Sequence, residues 1–598
     1  MDDGAVVTTH ETVKKGFSGI KELFGQSSVY GSTKENFGTY RPLTMSLFAV
    51  EWSFFKDNAP AYHFIHVLLY AVLCVVIFML LKKLLRNYHP LIPLAATLLF
   101  AAHPIHTEVA ANIKSADEIL SLLFGVCALW HAIRFSETAA IKHAAISWLS
   151  LLAALFSKES AATFLLIIPL TLYFFTDAKR KNILTIAGIY LSAIAIYFLA
   201  RNAALDKTPE SIAIINNSLA GAHSVTERYA TIFVILLNYL KLLFFPHPLC
   251  WDYGYNQIPL VGFGDPMAII SFLIYASLCG YALFSIWRHI KSPKYESLTN
   301  LRTTNSHFLP LTSHLISFCI LFYLFSLSVS SNIVVLIGAT MAERFLFTPS
   351  LGFCILLAFA AVKLFKVEES NFKLQTLNFK LFPLILILLM FSYKTYSRNL
   401  DWASNLTLFA KGAETCPDSY RTNATFAWES VLAGEKEQDK AKKKAHLENA
   451  VTYYKKALTI YDKVEADWYN YGVSNSNLGN LEGAVSSYQR ALALNPKHRN
   501  SLYNLATVYL SKNDFNNSLP LFLRAYEIEP DFMDVAFKVG LIYHMSGNPQ
   551  QAIPYYERYL KNNPHNKDVI SNLSMAYTAT GNMEKTVYYR NLLNSFQK

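Results

Sequence analysis

Two imidazoles and a carboxylate crowd into one short stretch, His103-Pro104-Ile105-His106-Thr107-Glu108. Groups of this kind trade protons with a nucleophile or stabilise an anion. Their setting marks them. Leu91 to Ala102 before them is almost wholly apolar, and beyond Lys114 and Asp117-Glu118 a second apolar run extends from Ile119 to Ile133. Ionisable groups at a membrane boundary are costly unless they meet water, a partner or a ligand. An interfacial loop between two spans explains this spacing by itself. A functional site needs further groups on the same side.

The elements that position such groups follow from composition. The 598 residues are 53% hydrophobic and 14% aromatic, too apolar for a soluble chain and too long for one domain. Apolar runs of spanning length occupy Tyr62–Leu81, Leu91–Ala111, Ile119–Phe135, Ala144–Phe156, Ala161–Phe175, Ile183–Ala200, Ile232–Phe245, Met267–Ile286, Phe308–Val329, Phe345–Leu364 and Leu381–Tyr393. The net charge of +11 fits basic cytoplasmic loops and does not indicate nucleic acid. The seven cysteines show no zinc-type spacing and no disulfide framework. Most lie in apolar runs, where a thiol acts as a small hydrophobe.

Four basic clusters orient the chain: Lys82-Lys83-Arg86, Lys179-Arg180-Lys181, Arg288 to Arg302, and Lys363 to Lys380. The positive-inside rule puts all four in the cytoplasm. Three apolar runs separate the second and third clusters, so one of them does not cross. Ile232–Phe245 is the shortest of the three and ends in Pro246-His247-Pro248. It is expected as a re-entrant or interfacial helix. Ten crossings remain, with residues 1–60 and the polar C-terminal region both outside. Pro42–Phe55 reads as an amphipathic interfacial helix opened by proline. On this topology Asp2-Asp3, Arg41, His103, His106, Glu108, Lys158-Glu159, Arg201, Asp252 and Glu343-Arg344 gather at the outer ends of spans. That gathering points to a lined cavity.

The polar region is periodic. Proline recurs at 496, 530 and 564, glycine at 479, 547 and 581 with Asn513 at the missing step, and an aromatic at Tyr488, Phe522 and Tyr556. The spacing of 34 is the tetratricopeptide period. Units are expected at 465–498, 499–532, 533–566 and 567–598, with a divergent unit at 421–462 and a linker at 397–420. Such arrays form α-solenoids with a concave face, and they bind peptide or protein segments.

Together these features resemble the transmembrane and tetratricopeptide-repeat O-mannosyltransferases and their bacterial relatives. The resemblance rests on Asp2-Asp3, Tyr40-Arg41-Pro42-Leu43, the His103–Glu108 string followed by Ala116-Asp117, and Lys158-Glu159. Phe245-Pro246 with Asp252-Tyr253, and Ala342-Glu343-Arg344 with Pro349-Ser350 and Gly352-Phe353, complete it. It implies an all-α chain, in which a GT-C-like polytopic domain at 61–396 precedes the solenoid. It implies an inverting transferase that moves a sugar, mannose or another hexose, from a polyprenyl-phosphate carrier to protein hydroxyls. Asp2 or Asp3 is the implied base, with Asp3 slightly favoured. Arg41, Lys158 and Arg344 are the implied phosphate contacts. His103 and His106 donate to the same oxygens or orient the base. Glu108 shares that site or pairs with a nearby cation, and Glu159 and Glu343 read first as such partners. Asp252 has no assigned role.

The donor is a lipid-linked sugar and the partners are the lipid carrier and a protein acceptor. No resident cofactor is required; a divalent metal is compatible with the chemistry, but no ligand spacing demands one. The expected location is a bacterial inner membrane with the array in the periplasm. Two other readings stay open: transfer to a glycolipid or envelope polysaccharide, and a non-catalytic scaffold with a protein-binding array. The family carries a transmembrane helix ahead of its acidic pair, whereas Met1-Asp2-Asp3 opens with no apolar segment. An upstream segment of about 20 apolar residues is therefore expected, giving eleven crossings in all.

Overall fold

The computed structural model describes residues 4–34, 38–205, 212–291, 308–365, 367 and 379–596, and the regular structure among them is helical. Two compact units divide the chain, Met1–Cys416 and Pro417–Lys598.

In the first unit, short helical turns up to Thr33 precede α1 (Pro42–Phe55), α2 (Ala59–Leu84), α3 (Leu91–Ala102), α4 (Ala116–Thr138) and α5 (Ile141–Ser157). Then come α6 (Phe164–Phe175), α7 (Arg180–Ala204), α8 (Val225–Phe244), α9 (Pro266–Lys291) and α10 (Phe308–Leu327). The unit closes with α11 (Pro349–Leu364), α12 (Phe382–Asp401) and α13 (Asn405–Thr415). α4 packs on α5 and α2, while α3 packs on α2, α11 and α12. α10 joins α11 to α6 and α9. One apolar core runs through these helices, from Leu73 and Leu99 to Phe347 and Phe391. Large apolar side chains also face outward, among them Phe64, Leu68, Leu191, Leu199, Leu273 and Leu283. In water such a surface is unstable; against lipid it costs nothing.

Among the described residues, four helices are long and apolar enough to cross a membrane: Ala59–Leu84, Ile113–Thr138, Arg180–Ala204 and Pro266–Arg288. Others, such as Leu91–Ala102 and Pro349–Leu364, have 10–17 residues. At 1.5 Å per residue these reach at most about 26 Å, short of a core of about 30 Å. The apolar run Leu91–Ala111 does not form one span. Pro104 bars the preceding residue from helical backbone, and His103 turns extended at ψ 125°. Likewise 397–420, expected as a linker, is mostly helix. Leu408, Phe409, Gly412 and Ala413 make a buried stripe along α13, which Ser404 opens by accepting from Thr407 N–H at 3.2 Å.

α1 starts at Pro42, as its sequence predicts. It is not a free interfacial helix. Met45, Phe48 and Ala49 bury against Val6, Val7, Val13 and Leu23 in a small core of their own, joined by Tyr62, Ile113 and Ala116. This core fixes the N-terminal segment to the start of α4.

The second unit is a row of helix pairs: α14 (Tyr420–Lys436) with α15 (Lys440–Ile460), α16 (Glu465–Asn477) with α17 (Leu481–Leu494), and α18 (Arg499–Ser511) with α19 (Phe515–Ile528). α20 (Val535–Met545) pairs with α21 (Pro549–Asn562), and α22 (Lys567–Ala579) with α23 (Met583–Ser595). The 34-residue period has a physical basis. Gly479, Gly547 and Gly581 adopt φ near +80° between the helices of their pairs, and Asn513 takes φ 55° in the same place. Asparagine is the side chain that best tolerates this left-handed position after glycine. Within a pair, Gly472 lies against the Tyr488 ring, where a Cβ would stand 2.6 Å from it. Tyr488 is 1% exposed. Tyr488→Ala is therefore expected to cost the array about 3–5 kcal/mol. Denaturant unfolding of the full chain, followed by proteolysis of residues 417–598, reads this; an unmoved transition contradicts the packing.

Candidate functional site

Three loops converge at one end of the first unit. Arg41 sits immediately before α1, and Tyr40 beside it is anchored by its hydroxyl donating to the Phe24 carbonyl at 2.8 Å. Asp117 and Glu118 occupy the first turn of α4, where the helix N-terminus favours negative charge. Lys158 and Glu159 follow the end of α5.

These residues form a closed charge network. The Arg41 guanidinium grips Glu159 with both Nε and Nη2, at 3.1 and 2.6 Å, and turns Nη1 to Asp117. Lys158 Nζ donates to Glu118 at 2.6 Å and to Asp117 at 3.4 Å. Asp117 is the hinge, with one oxygen on each cation. Burial opposes the charge on Arg41, but Glu159 and Asp117 outweigh it and hold its pKa above the ordinary value. Arg344 makes a second clamp. Its Nη1 and its backbone N–H both meet Glu108, the latter at 3.1 Å. Burial again opposes the charge and Glu108 restores it.

Between the network and the Arg344 clamp lies a cavity of about 280 Å³. Arg41, Lys114, Asp117, Lys158, Glu159 and Arg344 line it, and the loop 329–339 closes one side. The three sequence-selected cations are not equivalent there. Side-chain exposure is 6% for Lys158, 13% for Arg41 and 32% for Arg344. All three are engaged with carboxylates, and Arg344, the most exposed of them, offers most to an incoming anion.

The two histidines do not line this cavity. His103 is fully buried, its Nε2 donating to the Leu243 carbonyl at 3.1 Å while its ring packs on Phe391. His106 stands between the Tyr70 hydroxyl and Ser350 Oγ, 2.9 Å from each, and packs on Phe100 and Phe347. Ser350 gives its hydrogen to the Phe347 carbonyl at 2.7 Å, so His106 donates to it from Nε2 and accepts from Tyr70 at Nδ1. Both imidazoles hold the turn that carries Glu108. Asp2 and Asp3 lie outside the described residues. Among those described, no three His, Cys, Asp or Glu side chains cluster as metal ligands.

Glu343, beside Arg344, turns away from the cavity. Its Oε1 accepts from Cys250 N–H at 2.5 Å and from the Tyr253 hydroxyl at 3.0 Å. Asp117, Glu118 and Lys114 were the groups that motif reading undervalued. Two adjacent acids opening an apolar helix were the available signal, because such a pair needs cations within reach.

With this geometry in view, the chain can be set beside known proteins. The tetratricopeptide-repeat family model matches residues 474–531 and 503–567. The chain is 27% identical over 399 residues to protein O-mannosyl-transferase F38B6.6 of Caenorhabditis elegans, covering 66% of this chain and 51% of that one. It is 26% identical to human protein O-mannosyl-transferase TMTC3 over 65% of this chain and 42% of that one. It is 24% identical to protein O-mannosyl-transferase tmtc2 of Xenopus laevis, covering 63% and 51%. The chain therefore resembles the tetratricopeptide-repeat protein O-mannosyl-transferases and spans about half the length of the curated relatives it matches.

Burial lifts the Glu343 carboxyl from 4.5 to about 7, against the pull of Arg398. A carboxyl raised in the folded state stabilises it fully below its unfolded pKa and loses that contribution as pH rises through its folded one. Glu343→Gln keeps an acceptor and removes the titration. The variant is thus expected to match the parent near pH 4 and to exceed it by up to about 3 kcal/mol at pH 8, at about 1.4 kcal/mol per unit. Thermal unfolding at the two pH values measures this; a gap independent of pH contradicts it.

Proposed function

We infer that the chain is a membrane glycosyltransferase that moves a mannose or another hexose from a polyprenyl-phosphate carrier to hydroxyls of protein acceptors. One observation carries the reading: a cation-lined cavity at the ends of apolar helices, in a chain resembling named protein O-mannosyl-transferases. A carrier of this kind needs a phosphate site at the edge of the lipid, and the acceptor needs a base.

In the reaction, the acceptor oxygen attacks the anomeric carbon as its bond to the carrier phosphate breaks. The phosphate leaves with the bonding electrons, and a carboxylate takes the hydroxyl proton. A single displacement of this type inverts the anomeric centre. Asp3 or Asp2 is the base in this reading. Arg344 meets the developing phosphate charge, and Glu108 aims it. Arg41 and Lys158 hold Asp117 and Glu159 in place and supply positive potential from the cavity wall. The histidines keep the Glu108 turn rigid. The repeat array receives the acceptor polypeptide, whose remote contacts orient the reacting hydroxyl. The basic loops support an outward location of cavity and array.

Reconstituted full-length protein supplied with a radiolabelled polyprenyl-phosphate mannose and a Ser/Thr-rich protein tests this. Label is expected on the protein. Arg344→Ala is expected to lower kcat about 10²–10³-fold, and Asp2→Asn with Asp3→Asn to abolish transfer without loss of thermal stability. Full transfer by the double variant removes that pair as the base. Label found only in lipid removes the protein acceptor.

A further inference from the structure

Two cysteines 166 positions apart in sequence meet in the first unit. Cys250 lies in the loop after α8, and Cys416 is the residue that ends α13. Both are 2% exposed. Cys250 is held at three points. Its N–H donates to Glu343, its Sγ lies 3.2 Å from the Asp252 carbonyl, and the same Sγ lies 3.8 Å from the Gly412 carbonyl. Gly412 is one turn before Cys416, whose own N–H donates to that carbonyl at 2.8 Å. The Cys250 thiol and the Cys416 backbone N–H therefore converge on one carbonyl, which brings the two cysteines together. The close approach is built in. Trp251 packs its indole on Phe409, with ring centroids 5.2 Å apart, and a Cβ at Gly412 would collide with that indole.

We propose that Cys250 and Cys416 form a disulfide in the mature protein, fastening α13 to the loop that carries Glu343's partners. The proposal rests on the topology above, which puts both residues on the outer face. Thiols there meet an oxidising compartment, whereas the same pair in the cytosol stays reduced. The oxidant is a disulfide-donor protein, RSSR, acting by thiol–disulfide exchange. One cysteine sulfur displaces RS⁻ to give a mixed disulfide, and the second displaces the other RS⁻. The two cysteines lose two protons and two electrons, and RSSR takes both up as it is reduced to two RSH. Contact with Cys250, then burial, pushes the Cys416 thiol far above its ordinary pKa. Folded, it is a poor nucleophile. The bond forms as the two segments close, and it serves as a staple, not a switch. It pins the end of the first unit directly before Pro417, where the second unit begins.

The test counts thiols in the full-length protein. Cells are quenched in acid, the protein is denatured and alkylated with N-ethylmaleimide, and adducts are mapped by mass spectrometry. With seven cysteines in the chain, the expected result is five adducts before reduction and seven after, with Cys250 and Cys416 on one linked peptide pair. Seven adducts before reduction overturns the proposal. A second arm then identifies the failed premise. Reduced protein in micelles is treated with copper phenanthroline and oxygen. A Cys250–Cys416 bond formed only there shows that the geometry holds and the outward topology is wrong. No bond in either arm shows that the sulfurs do not meet. Neither arm reads sugar transfer, so the outcome is independent of that activity.

Discussion

The Arg41–Asp117–Lys158 contact is the constraint on which the rest of the first unit depends. Two cations and two carboxylates, Asp117 and Glu118, are nearly removed from water, and each such ion pays several kcal/mol in desolvation, while Glu159 pairs with Arg41 from a half-exposed position. The arrangement is tolerable only with every partner present. Arg41 must enter just before α1, Asp117 and Glu118 must open α4, and Lys158 and Glu159 must follow α5. Losing one member leaves an unpaired buried charge. This explains why the N-terminal segment has its own small core: Val6, Val13 and Leu23 hold α1, and with it Arg41, at a fixed height over the start of α4.

Charge balance at this site has a further consequence. Arg41, Lys114, Lys158 and Arg344 face Glu108, Asp117, Glu118 and Glu159, so four cations meet four carboxylates. A resting site at a lipid boundary gains from such neutrality. An arriving phosphate must then compete for a cation already paired. Arg344 is the one with room to do so, because it is the most exposed of the three cations selected from sequence. The histidines, conspicuous in the string His103–Glu108, are spent on carbonyls and hydroxyls. Their service is to the backbone that presents Glu108.

Much of this was legible in the sequence. Periodicity located the repeat pairs because a 34-residue unit must place a left-handed residue between its helices, and Asn513 filled that role where glycine was absent. Proline located the start of α1. The motifs placed Arg41, Lys158 and Arg344 around one cavity. What escaped was pairing. Spacing cannot tell that Asp117 bridges two cations, that His106 points at Ser350, or that α13 is helix where a linker was expected. Those facts depend on side chains far apart in the chain. The stripe Leu408, Phe409, Gly412 and Ala413 was too short to stand out beside the long apolar runs.

The central claim is that the cavity beside Arg344 receives the carrier phosphate. Photo-crosslinking tests it most directly, using a polyprenyl phosphate with a diazirine in its first isoprene unit and full-length protein in lipid vesicles. Adducts are expected in the segments 112–117, 158–160 and 329–345, and Arg344→Ala is expected to reduce them at least tenfold. Adducts confined to other segments, or undiminished in Arg344→Ala, would contradict the account.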